Sequence, residues 1–165
     1  MGQEVLFTAA DTGLWVGRPA ELPGSRPLEL EPDLGADFGR LSEWPRDQVV
    51  KVLCFCHPDD DHGLWKRQIQ TVKRLFEACR RNQLEFLLEV IPSKAGEIDD
   101  MTTALVIQRF YDESIFPDWW KLEPMFTVAA WQNVIDAIER NDAHTRGIVI
   151  LGLGESEEKL GQSFS

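Results

Sequence analysis

Three ionisable residues stand singly within apolar runs: Lys51 in Val49-Val50-Lys51-Val52-Leu53, Glu89 in Leu87-Leu88-Glu89-Val90-Ile91, and Lys121 in Trp119-Trp120-Lys121-Leu122. A charge in such surroundings is costly unless it is paired or used. Burial disfavours the charged form, so a buried lysine tends toward a neutral amine able to attack a carbonyl. The resulting protonated Schiff base is an electron sink that helps break an adjacent carbon–carbon bond. A second ammonium nearby keeps the first amine deprotonated, and a carboxylate shuttles the protons. Lys121, with Trp119, Trp120 and Leu122 around it, is the candidate nucleophile; Lys51 is the helper and Glu89 the acid/base. The plainer alternative is a structural ion pair. Two lysines around one carboxylate, however, leave a charge that burial must neutralise, and strongly shifted groups concentrate at working sites.

The elements that would hold this trio are legible from Val49 onward. Val49–Cys56 is β-branched and apolar almost throughout, as expected for a parallel strand buried on both faces. A helix follows, with Trp65, Ile69, Val72, Phe76 and Cys79 on one stripe. Glu85–Ile91 is the next strand, stopped by Pro92, and an Asp99-Asp100 cap starts a helix to Tyr111. Trp119–Glu123 is a strand. Thr127 caps a helix with Val128, Trp131, Ile135 and Ile138 on its apolar stripe, and Gly147–Gly154 is a further strand. Glu155–Phe164 begins a last helix, with Glu155, Glu157 and Glu158 placed to interact with its dipole.

Strand and helix thus alternate four times without a hairpin signal, which gives an α/β class with parallel strands. Gly152-Leu153-Gly154 lacks the third glycine of a dinucleotide loop and falls on the last strand, so an open doubly wound sheet is disfavoured. A TIM (β/α)8-barrel type fits the repeat better. Such a barrel takes about 250 residues, so the chain is read as an incomplete one, with about five of the eight units when a strand near Trp15–Leu22 is included. Residues 1–165 form a single partial barrel domain in this reading: 1–48 irregular, with Glu4–Ala10 a helix end or short strand, and 49–165 four regular units.

Around this frame lie weaker candidates. The loop Gly17–Pro27 is rich in proline and glycine, and its Arg18, Glu21 and Arg26 either bind an anionic substrate or reflect turn chemistry and surface ion pairs. Cys54, Cys56, His57, Asp59, Asp60, Asp61 and His62 contain zinc-ligand types, but their spacing meets no standard pattern. Two buried thiols followed by a polar loop are the better reading, and no metal is assigned. His57, at the C-terminal end of its strand, faces the catalytic end of a barrel and is a candidate substrate contact. Trp44, Trp65 and Trp131 read as packing residues.

Charge narrows the partners. A formal net charge of −11 argues against nucleic acid or an anionic membrane, while leaving room for a small anionic metabolite in a local basic pocket. No apolar run has the length of a membrane span and the N-terminus lacks a secretory pattern, so a cytoplasmic protein is expected. Three cysteines, an odd number, fit reduced thiols in that compartment.

Several long motifs carry a resemblance over nearly the whole chain: Arg18-Pro19-Ala20-Glu21-Leu22-Pro23-Gly24-Ser25-Arg26-Pro27-Leu28, Val50-Lys51-Val52-Leu53 with His57-Pro58-Asp59-Asp60, Leu87-Leu88-Glu89-Val90-Ile91-Pro92, Pro117-Asp118-Trp119-Trp120-Lys121-Leu122, and Gly147-Ile148-Val149-Ile150-Leu151-Gly152-Leu153. They resemble the barrel domain of uncharacterised type that is fused to bacterial 5-dehydro-2-deoxygluconokinase in inositol catabolism. That domain looks like a class I aldolase related to tagatose-bisphosphate aldolase. The resemblance implies cleavage of 5-dehydro-2-deoxygluconate 6-phosphate to dihydroxyacetone phosphate and malonate semialdehyde. It also implies that Lys51, Glu89 and the Schiff-base Lys121 lie on three successive strands and need no cofactor. The implied partners are the phosphorylated sugar acid and either copies of the chain or an associated sugar kinase domain. The alternative is a noncatalytic barrel relative serving as an oligomerisation or binding module. The family's phosphate-binding last strand is expected to lie outside this sequence.

Overall fold

A computed structural model describes residues 5, 6, 8, 9, 12–152, 154 and 156–163. The expectations for Glu4, Ala10, Leu153, Glu155 and Phe164 fall outside the described residues. Five strands, β1 (Val16–Pro19), β2 (Gln48–Cys54), β3 (Phe86–Val90), β4 (Trp119–Leu122) and β5 (Gly147–Ile150), form one sheet in sequential order, every neighbouring pair parallel. Four helices follow β2 to β5: α1 (His62–Asn82), α2 (Thr102–Asp112), α3 (Val128–Asn141) and α4 (Glu157–Ser163). The architecture is mixed α/β and consistent with a partial barrel-like fold. Among the described residues no helix is long and apolar enough to cross a membrane.

Pleating sorts each strand onto two faces. Val50, Val52 and Cys54 of β2, Phe86, Leu88 and Val90 of β3, and Trp120 and Leu122 of β4 share one buried cluster with Ile69, Val72 and Leu75 of α1, Val106, Ile107 and Phe110 of α2, and Val134 and Ala137 of α3. The alternating residues Lys51, Leu87, Glu89 and Lys121 lie outside that cluster. α1, α2 and α3 therefore pack on one side, whereas a doubly wound sheet would be covered on both. The trio has the other side.

Local chemistry accounts for the helix starts. Asp61 Oδ1 accepts from the Gly63 and Leu64 amides to cap α1. Asp99 Oδ1 accepts from Met101 and Thr102 ahead of α2, and Thr127 Oγ1 accepts from Ala130 at α3. Each satisfies an amide that the first helical turn leaves unbonded. The α3 stripe differs from expectation. Ala130, Val134, Ala137 and Ile138 are buried, whereas Val128 is 80% and Ile135 39% exposed. Small alanines let α3 approach α2 closely, and this turns the larger pair outward. Two strand ends also differ: β5 closes at Ile150 rather than Gly154, and β2 at Cys54 rather than Cys56. The N-terminal part is less irregular than expected, since β1 pairs with β2 and short 3-10 turns occupy Pro32–Leu34 and Gly39–Glu43.

Candidate functional site

The sheet register assembles the three sequence-predicted residues. Glu89 pairs in register with Lys121 on β4 and with Leu53 on β2, and Lys51 lies one pleat below Leu53 on the same face. Lys121 Nζ stands 3.0 Å from Glu89 Oε1, and Lys51 Nζ stands 2.7 Å from Glu89 Oε2. Glu89 is thus clamped between two ammonium groups at the C-terminal half of the sheet.

A fourth member changes the electrostatics. Glu21 Oε1 accepts a hydrogen bond from Lys51 Nζ at 2.5 Å. Glu21 continues the line of β1: the Ala20 amide donates to the Lys51 carbonyl at 2.9 Å, and the residues on either side ladder with the returning chain through Leu22 N–H to Glu29 O and Glu31 N–H to Ala20 O. Ala20 enters the helix-side core, so Glu21 faces the lysines. Two carboxylates and two ammonium groups now alternate as Glu21–Lys51–Glu89–Lys121. The residual charge expected of a lysine–glutamate–lysine trio is absent. Burial pulls Lys51 toward neutrality, but hydrogen bonds to Glu21 and Glu89, and their charges, outweigh it and hold its pKa above the usual lysine value. Lys51 is a fixed cation.

The environment of Lys121 also departs from the sequence reading. Trp120 and Leu122, its chain neighbours, point to the helix side, as alternation requires. Trp119 is on its face one pleat lower, against Trp15 at 5.2 Å between ring centroids, with Nε1 donating to Glu85 Oε2 at 2.8 Å. Gly147, opposite Trp119, is required there: a Cβ would come within 3.3 Å of the indole, and its φ of +155° disfavours other residues. The Lys121 side chain retains 24% of its exposure and that of Lys51 17%. Both amines are half-buried rather than sealed, and Lys121 is the more accessible.

The remaining candidates divide. Arg18 is not brought to the lysines: it pairs in register with Val50, on the helix-side face, and stacks on Trp44 at 3.8 Å. Arg26 forms an ion pair with Asp60, and its Nε donates to the Phe55 carbonyl at 3.2 Å. It pins the first loop to the end of β2, which is the ion-pair reading of that arginine. His57 is buried with both ring nitrogens engaged. Nε2–H donates to the Glu97 carbonyl at 2.7 Å, Nδ1 accepts from the Asp59 amide at 3.1 Å, and Gly96 leaves room that a Cβ would take at 3.0 Å from the ring. With no nitrogen to spare, His57 orders the β3–α2 loop, which departs from the substrate contact expected of it. Cys54 and Cys56 are free, buried thiols, and burial first, then Cys54, pushes the Cys56 thiol well above its usual pKa.

One acid was missed. Glu123, just past β4, is buried, and its Oε1 accepts from the Ser93 amide at 2.9 Å, tying the end of β4 to that of β3 above the lysines. Its two-residue offset from Lys121 carries the signal, since residues two apart share a face.

A family model described as an uncharacterized protein conserved in bacteria (DUF2090) matches residues 1–165. The chain belongs to that family. No curated protein matches it. Membership in DUF2090 assigns no chemistry of its own, so function rests on the geometry above.

Proposed function

We propose that this DUF2090 chain is a Schiff-base carbon–carbon lyase with Lys121 as the nucleophile, acting on a phosphorylated keto sugar acid. The observation that carries this reading is the 3.0 Å approach of the accessible Lys121 amine to a carboxylate held from its other side by Lys51. Glu89 accepts a proton from the Lys121 ammonium, and the freed amine adds to the substrate ketone. Glu89 returns the proton as the carbinolamine loses water, leaving an iminium. The carboxylate then takes the proton of the hydroxyl on the far carbon of the bond to be broken, the carbon β to the iminium. The carbon–carbon bond cleaves to an aldehyde and an enamine, and protonation and hydrolysis of the enamine release the second product and the lysine. Lys51 remains charged throughout and keeps Glu89 in place.

The sequence resemblance extends the proposal to 5-dehydro-2-deoxygluconate 6-phosphate as substrate, with dihydroxyacetone phosphate and malonate semialdehyde as products, in inositol catabolism. It also extends it to a (β/α)8-barrel type of fold and an associated sugar kinase domain. The test is a coupled assay for dihydroxyacetone phosphate release. The protein is expected to turn over the substrate, Lys121→Met to abolish turnover, and Lys51→Arg to retain part of it. Turnover by Lys121→Met at the normal rate rejects the nucleophile.

A second reading has its own support. A charge-balanced set of two lysines and two glutamates is also what a purely structural network requires. In that case the chain is a noncatalytic relative whose β1 and β5 edges or exposed Val128 and Ile135 serve assembly with copies of itself. Absence of turnover together with concentration-dependent oligomers in light scattering selects it.

A further inference from the structure

A cavity of about 280 Å³ lies against β1 and is lined in part by Arg18, Glu31, Asp33, Arg40, Trp44 and Gln48. Arg18 shares the face of Val50, which belongs to the helix-side core, so the cavity is on the opposite side of the sheet from Lys51 and Lys121. Its volume is at the small end of the range for metabolite pockets.

Two features of its wall call for a ligand. The Arg18 guanidinium is stacked on the Trp44 ring at 3.8 Å, and among the described residues none takes up its N–H donors in a hydrogen bond or ion pair. Stacking fixes the plane of the fork and leaves its edge free for a carboxylate, the geometry in which arginine binds planar anions. The second feature is Gln48, 2% exposed, whose Nε2 donates to the Leu6 carbonyl at 3.3 Å while Oε1 is buried without a partner. A buried amide oxygen with no donor is costly, and a ligand hydroxyl would satisfy it.

The remaining wall limits the choice. Burial, and then the neighbouring Arg40, lower the Arg18 pKa against the opposing pull of Asp33, so an anion between the two guanidinium groups relieves their repulsion. Arg40 is only loosely held by Glu43, at 3.6 Å. Glu31 and Asp33 would repel a bare polyanion but accept hydrogen bonds from hydroxyls.

We propose that this cavity binds a small hydroxylated carboxylate, a hydroxy acid or sugar acid, with its carboxylate on Arg18 and Arg40 and a hydroxyl donating to Gln48 Oε1. The site is separate from the lysine network and does not depend on the lyase reading.

Calorimetric titration of the full chain with sodium D-gluconate, and separately with inorganic phosphate, tests it. Gluconate should saturate at one site, tighter than phosphate. Arg18→Met should weaken it by about tenfold or more and Arg40→Gln by several-fold, while Lys121→Met leaves it unchanged. No saturable gluconate binding overturns the proposal, as does binding that survives both arginine substitutions or vanishes in Lys121→Met. Phosphate bound as tightly as gluconate overturns the ligand class. Should Arg18→Met fail to fold, the exposed Arg40→Gln decides, and an unchanged affinity there rejects the site.

Discussion

The two faces of the sheet solve opposite problems with alternate residues of the same strands. On the helix side, Phe86, Leu88, Val90, Trp120 and Leu122 are buried among helix side chains. The single Trp120 indole N–H there is satisfied by the Tyr111 hydroxyl at 2.8 Å. On the other side, four charged groups neutralise one another in a row. The comparison teaches that the stability of the second face depends on pairing rather than area, and that its charges are balanced only while all four are present. Lys51, in the middle of the row, is the residue that balance needs most, and Lys121, at its end, is the one most available for chemistry.

The largest effect expected from this contrast is Lys51→Met. Removing the central ammonium leaves Glu21 and Glu89 facing each other without their shared cation, and unfolding in urea should show a loss of about 3–5 kcal/mol. A loss no larger than that of Lys121→Met would mean that the network is not centred on Lys51.

The pH dependence follows from the same residue. The pKa of Lys51 is raised in the folded state, so its contribution to stability is fully present below the unfolded value of about 10.4. It is lost as pH rises through the folded value. Stability measured from neutral pH upward should therefore fall across that alkaline window in the wild type and fall less in Lys51→Met. Parallel curves would contradict the pairing.

The helix side gives a smaller and different signal. Burial pushes the Cys79 thiol up to about 12. At mildly alkaline pH native Cys79 should resist iodoacetamide, and it should react once urea opens the core, as mass spectrometry of tryptic peptides will show. Rapid native modification would place α1 differently. Smallest is Lys121→Met, with an expected cost of up to about 1 kcal/mol, because its partly exposed pair with Glu89 leaves the Lys51 pair intact. A cost above that of Lys51→Met would reverse the assignment of the two lysines.

How much of this was legible in the sequence depends on the range of the interaction involved. The apolar runs around Lys51, Glu89 and Lys121 marked strands by their β-branched and aromatic content, and the register of β2, β3 and β4 put the three on the face that the helices leave. The caps at Asp61, Asp99 and Thr127 are local and have local signals. Glu21 was visible only as a loop acid. Its role depends on β1 adding to β2 with Pro19 opposite Lys51, a register that no local pattern specifies. The same register turned Arg18 away from the lysines. His57 misled for a related reason: its position at a strand end suggested an exposed contact, but the Glu97 carbonyl that occupies its Nε2 lies 40 residues along the chain. The Trp120 and Leu122 flanks of Lys121 are next to it in sequence and on the far side of the sheet in space.

Trapping with sodium borohydride in the presence of dihydroxyacetone phosphate, followed by peptide mass spectrometry, tests the central claim most directly. A reduced adduct on Lys121, with Lys51 unmodified, is the predicted result. An adduct on Lys51 or another lysine, or no adduct with folded protein, contradicts it.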